Sequence, residues 1–197
     1  MTNKEEFIDI CHRDIRRQGI EDLLAWLEKS DFYTAPASTK YHGCHEGGLL
    51  EHSLNVYHYL AKRLKYWGNN SYNDETIAIC ALFHDLAKVN LYQKGVKNIK
   101  NTDTGKWETI ETYQINEKFP CGDHADKSVI ILQNYIKLKS DEIMSIAAHM
   151  GGWTSAVKGG SQFIGKIFET CPLAVHLHLA DMEATYLVET RCTSVFL

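Results

Sequence analysis

Six side chains hold most of the chemistry in this sequence: His52, His84, Asp85, His124, His149 and Asp181. Imidazole nitrogens and carboxylate oxygens form the donor set for divalent ions such as Fe, Mn, Ni, Co, Zn or Mg, and one carboxylate can bridge two ions. The pair His84-Asp85 lies inside the apolar run Cys80-Ala-Leu-Phe-His-Asp-Leu-Ala-Lys88. Such a dipeptide arises easily by chance, so its weight comes from the other four residues, each in an apolar helical stretch. His84 and Asp85 project about 100° apart on a helix, so each can reach a different ion. Asp181 falls in Val175-His-Leu-His-Leu-Ala-Asp-Met, where an unpaired carboxylate is costly to bury and ligation removes the cost.

Positioning six donors from distant segments requires packed helices, because none of these segments is close to the next in sequence. Apolar periodicity predicts helices over 7–18, closed by Gly19, and over 20–29. A loop rich in Gly, Pro and small polar residues follows over 30–48. A strong helix is expected over 49–67, with Leu50, Leu54, Val56, Tyr57, Leu60 and Leu64 on its apolar face. Asn73-Asp74 reads as the cap of a helix over 75–88, and further helices are expected over 125–137, 141–149 and 172–189. Between Asn90 and Pro120 the helical pattern breaks. Residues 96–100 and 106–113 read as two strands about the turn Asn101-Thr-Asp-Thr-Gly105, an inserted β-hairpin spanning about 94–117. The fold expected is all-α with this small hairpin, a single domain over 1–197 with its core at about 30–189.

Composition narrows the field. The chain has 197 residues, 44% of them hydrophobic, with net charge −4, which suits one packed domain and argues against a nucleic-acid coat or a membrane-surface protein. No apolar run approaches the roughly 18–20 residues of a membrane span, and the polar start Met1-Thr-Asn-Lys-Glu-Glu shows no secretory signal. Six scattered cysteines without a C-x-x-C pair are expected to be reduced thiols, and the chain is expected to be cytoplasmic. The charges over 94–118 read as a solvated strand face.

The order of the six residues resembles the HD-domain superfamily of metal-dependent phosphohydrolases in its two-metal form. The likeness extends to Phe32-Tyr-Thr-Ala-Pro-Ala and Tyr41-His-Gly-Cys-His-Glu-Gly-Gly-Leu-Leu-Glu-His52-Ser, similar to the segment entering the HD domain of bacterial exoribonucleases and related phage and bacterial hydrolases. It continues through Leu82-Phe-His-Asp-Leu-Ala-Lys88, Phe119-Pro-Cys-Gly-Asp-His124-Ala-Asp-Lys-Ser128 and His178-Leu-Ala-Asp181-Met. The resemblance implies that His52, His84, Asp85 and Asp181 hold one divalent ion, and that Asp85, His124 and His149 hold a second, with Asp85 shared. Two such ions would lower the pKa of a water from 15.7 toward about 7 and neutralise charge developing at phosphorus. Asp85 is then central to catalysis. Lys88 is placed to contact a phosphate, with a role as a helix C-terminal cation as the plainer reading. His42 and Trp153 would bound the substrate pocket.

The activity expected is hydrolysis of a phosphate ester in a nucleotide or short oligonucleotide by a metal-activated hydroxide. With no separate nucleic-acid module, a small phosphorylated substrate is favoured over a long polymer. Two alternatives stay open on sequence: a di-iron HD-type oxygenase acting on a small carbon substrate, and a non-catalytic nucleotide-binding sensor. Among the other histidines, His12, His45 and His58 read as surface or packing residues, and His178 as either core or a support for the ligands.

Overall fold

Thr2 starts the first helix ahead of its apolar pattern. The Thr2 hydroxyl accepts from the Glu5 amide at 3.2 Å while the Glu5 carboxylate accepts from the Thr2 amide at 2.7 Å. This reciprocal cap begins α1 (Asn3–Asp14) four residues before the expected start at Phe7. The helix also stops earlier than expected, because Ile15 turns to extended backbone. Gly19 then sits in the left-handed region at φ 92°, with the Tyr135 carbonyl oxygen only 1.9 Å from where a Cβ would be. Only glycine fits there, and α2 (Ile20–Glu28) leaves from it.

The computed structural model describes residues 1–68, 71–101 and 104–190. After α2 come α3 (Gly48–Tyr66) and α4 (Asp74–Phe83), a 3-10 turn (Leu86–Lys88), and the strands β1 (Tyr92–Lys100) and β2 (Trp107–Ile115). Then follow α5 (His124–Gln133), α6 (Ser140–Ala148), a 3-10 turn (Gly151–Trp153), α7 (Ser155–Lys158), α8 (Phe163–Thr170), α9 (Pro172–Glu183) and a π-turn (Ala184–Val188). Asn73 caps α4 as expected, its side chain accepting from the Thr76 amide. The strands pair antiparallel from Tyr92 opposite Ile115 to Lys100 opposite Trp107. Thr102 and Asp103 of the expected turn lie outside the described residues. The chain is thus a helical bundle with a small hairpin, and no described helix is long and apolar enough to cross a membrane.

One apolar cluster joins the helices. Leu27, Leu60, Leu82, Phe83, Leu86 and Leu132 are all fully buried in it. Burying a side chain of that size contributes about 1.5–3 kcal/mol. A cap contributes about 1 kcal/mol, so packing outweighs local propensity in fixing where the helices lie. α3 packs on both α4 and α9, α6 packs on α9 and α5, and α5 packs on the 3-10 turn after α4. Those are the segments that carry the six candidate ligands. The hairpin stands apart, with Val96, Trp107 and Ile115 exposed.

A buried polar knot ties the N-terminal segment to this bundle. The Arg17 guanidinium donates to Glu142 at 2.5 Å and to Glu75 at 2.8 Å. Glu142 is fully buried and also accepts from the Thr76 hydroxyl at 2.9 Å. Buried charge is tolerated only when paired in this way.

The thiols need one correction. Cys11, Cys80, Cys121 and Cys171 are free, but Cys44 is disulfide-bonded, so the expectation of uniformly reduced cysteines does not hold. Cys192 lies outside the described residues.

Candidate metal centre

The helix carrying the His-Asp pair ends on it. His84 still has helical dihedrals, whereas Asp85 departs to φ −104°, ψ 21° before the 3-10 turn begins. The expected continuous helix to Lys88 is therefore interrupted at the pair. The break leaves the Ala87 amide without an α-helical acceptor, and the Ser128 hydroxyl oxygen accepts it at 3.0 Å. Ser128 in turn donates to the His124 carbonyl at 2.9 Å. One serine thus sets α5, with His124 at its first turn, against the Asp85 turn.

Around Asp85 the six residues converge. Its Oδ2 lies 3.5 Å from both His52 Nε2 and His84 Nε2, and His52 Nε2 lies 3.3 Å from Asp181 Oδ1. Its Oδ1 lies 3.4 Å from His124 Nε2 and 3.6 Å from His149 Nε2. The carboxylate of Asp85 thus presents one oxygen to each of two groups of side chains. His52, His84, Asp85 and His149 are all buried, whereas the side chain of His124 is 28% exposed.

The outer nitrogens decide what the inner ones can do. His84 Nδ1 lies 2.8 Å from the Ala81 carbonyl, and His149 Nδ1 lies 2.7 Å from the Ile146 carbonyl. His52 Nδ1 lies 2.9 Å from a carboxylate oxygen of Glu189. Carbonyl and carboxylate oxygens only accept, so each of these Nδ1 atoms carries its proton, and in the neutral ring each Nε2 presents a lone pair. The inner nitrogens crowd together about Asp85: His52 and His84 Nε2 are 3.1 Å apart, and His149 and His124 Nε2 are 3.3 Å apart. Among the described residues, Asp85 Oδ1 is buried without a hydrogen-bond partner. Converging ring nitrogens and an orphaned carboxylate oxygen fit a cation.

Electrostatics agree. Burial pushes His84 down to about 3 and His124 down to about 4, so both are neutral donors at pH 7. Burial also opposes charge on His52, but its hydrogen bonds to the Asp181 and Glu189 carboxylates outweigh it and raise this ring to about 10, so without a cation its Nε2 carries a proton at pH 7 that a bound ion would displace. Burial disfavours the Asp85 carboxylate as well, yet Lys88 and His84 hold it well below the usual range. Lys88 Nζ is 2.6 Å from Asp85 Oδ2.

The remaining sequence candidates lie around this cluster. His42 is buried, its ring 4.7 Å from that of His52 and its Nδ1 2.5 Å from Glu189. Trp153 is half exposed and reaches the cluster through His178, whose ring lies 6.3 Å away. His178 Nδ1 lies 2.6 Å from the His149 carbonyl, which answers its open reading in favour of a support. Gly151, at φ 52°, allows this approach: a Cβ there would meet the His178 ring at 2.7 Å. Asp123, just before His124, accepts from the Ser155 amide at 2.7 Å and its hydroxyl at 2.9 Å. The Gly-rich segment is therefore pinned at both ends, beside His124 and beside His149.

The HD-domain family model matches residues 49–185, well over half of the chain. The chain belongs to the HD-domain family. The HD match starts at the helix that carries His52 and ends four residues after Asp181, so it encloses all six converging residues. The superfamily is one of metal-dependent phosphohydrolases, and its domains bind divalent metals. No curated protein and no solved structure gives a significant match to this HD chain. Glu189 escaped the sequence reading, and so did the bracing role of Ser128, which closes the His124 segment of the resemblance. Glu189 offered only a carboxylate behind the apolar Tyr186-Leu-Val188.

Proposed function

We propose that this HD-domain chain is a metal-dependent phosphohydrolase acting on a phosphate ester of a nucleotide or short oligonucleotide. The observation that carries the reading is Asp85, with one oxygen facing His52 and His84 and the other, orphaned, facing His124 and His149. On this reading His52, His84, Asp85 and Asp181 hold one divalent ion, and Asp85, His124 and His149 hold another. When bound, such ions supply a nucleophilic hydroxide near neutral pH and Lewis acidity toward a phosphoryl oxygen.

Charge counting favours an anionic substrate. The ligand carboxylates Asp85 and Asp181 contribute two negative charges against about four positive ones from two divalent ions. Lys88, buried beside Asp85, offsets Glu189 beside His52. The excess positive charge suits a phosphate, and Lys88 is the side chain assigned to orient it. His42, beside His52, and Trp153, beside His178, are assigned to bound the leaving portion of the substrate.

Metal analysis of the freshly purified protein, followed by a panel of phosphomonoesters, phosphodiesters and dNTPs, tests the proposal. Release of phosphate or of a nucleotide from at least one class is expected, with Asp85→Ala inactive on the same panel. Absence of turnover across Mn, Fe, Co and Ni would sink it.

A further inference from the structure

We infer that Glu189 is a positioning residue for the centre: its carboxylate orients His52 as an Nε2 donor and links the buried loop residue His42 to that ligand. The inference rests on the metal-centre reading and adds to it a residue beyond the stretch matched by the family.

The geometry is a shared carboxylate. Glu189 Oε1 accepts from His52 Nδ1 at 2.9 Å and from the Asn55 side-chain amide at 3.1 Å. Its Oε2 lies 2.5 Å from His42 Nδ1. The Glu189 side chain is 2% exposed, and His52 is 1% exposed. A carboxylate buried this deeply survives only with its lone pairs satisfied, and here three side chains satisfy them. Two of those partners, His52 and Asn55, lie three residues apart on α3, one turn of the helix. Holding both fixes the rotation of the His52 ring and not merely its proton.

His84 and His149 use their own helices for the same purpose, each bonding a carbonyl three residues earlier. His52 sits in the second turn of α3, and its outer nitrogen instead meets the segment after α9. The π-turn over Ala184–Val188 delivers that segment: the Glu189 amide bonds the Ala184 carbonyl at 3.0 Å and closes the turn. A widened turn at this position changes the direction in which residue 189 leaves the helix. Asp181 and Glu189 therefore approach His52 from one continuous segment, one at Nε2 and the other at Nδ1.

Chelator-competition titration with Zn2+ on wild type, Glu189→Ala, Glu189→Gln, His42→Ala and Asp85→Ala provides the test. Long-range 1H–15N spectra of the Zn2+-loaded proteins would accompany it, to read the protonation and orientation of His52. Loss of a hydrogen-bonding partner behind a metal-bound imidazole typically weakens affinity about 10–100-fold. Glu189→Ala is expected to fall in that range and to shift the His52 Nδ1 signal. Glu189→Gln keeps an oxygen acceptor without the charge and should fall between wild type and Glu189→Ala. His42→Ala removes the outer arm only and should weaken Zn2+ less than Glu189→Ala. A purely structural role would lower the melting temperature of the metal-free variants while leaving Zn2+ affinity and the His52 signal as in wild type, and that result overturns the inference. If wild type and Asp85→Ala take up Zn2+ alike, the metal reading itself fails; if only the Glu189 variants match wild type, the inference alone fails.

Discussion

The two sides of Asp85 are built differently. On the His52 side both imidazoles are fully enclosed, and each is braced from behind, by Ala81 or by Glu189. On the other side His149 is enclosed and braced, but His124 stands at the first turn of a helix with over a quarter of its side chain open to solvent. Its position depends on Ser128 and on the Asp123–Ser155 contact, each a pair of hydrogen bonds made through one side chain. Enclosure favours retention of a bound ion, and an open edge favours access. The difference assigns the first role to the His52 side and the second to the His124 side.

The comparison can be broken most severely at the shared residue. Asp85→Ala removes a ligand from both sides, and we expect metal content to fall to background and turnover with it, measured by elemental analysis and phosphate release. Single-sided changes come next. His84→Ala should strip the enclosed side and leave only the ion at the open side, which dialysis against chelator removes, whereas His124→Ala should keep about one ion per chain through the same dialysis while lowering turnover strongly; equal metal content after dialysis in the two variants would erase the distinction.

pH separates the sides a third way. A cation at the His52 side must displace a proton from a ring whose metal-free value is about 10, so affinity there should rise about tenfold per pH unit between pH 7 and 9. His124 and His84, already neutral above about pH 5, add nothing in that window. Calorimetry in buffers of different ionisation enthalpy would count the proton released, and a value near zero contradicts the scheme. Smaller effects probe the bracing of the open side. Gly151→Ala forces a Cβ against His178 at a positive φ and should cost about 1 kcal/mol or more, read as a drop of about 2–4 °C or more in Tm. Asp123→Ala releases Ser155 and should cost about 1 kcal/mol, with a modest weakening at His124.

Residue type made the six converging residues legible. A histidine or aspartate in an apolar helix is conspicuous, and the six lie together about Asp85. The supports were harder to read because their signals are shared with ordinary surface residues. Ser128 and Asn55 are common polar residues on helices, and Glu189 reaches His52 only through a π-turn that no periodicity announces. The same held for the fold. The helix over 3–14 began four residues earlier than its apolar pattern because Thr2-Asn-Lys-Glu5 caps it, a signal present in the sequence but outweighed by hydrophobic spacing. α8 (Phe163–Thr170) was not anticipated, since the Gly-rich stretch before it concealed its start. The break at Asp85 depends on Ser128, forty-three residues downstream, and so belongs to tertiary structure.

The Arg17 knot bears on where this enzyme candidate could be cut. Cloning only the stretch that matches the family, from residue 49 onward, would delete the guanidinium that neutralises Glu142 on α6, the helix leading into His149. Stranding a buried carboxylate in that manner typically costs about 3–5 kcal/mol, a large fraction of a domain's total stability. A minimal recombinant fragment should therefore keep the first two helices, or lose solubility before its catalysis can be assayed.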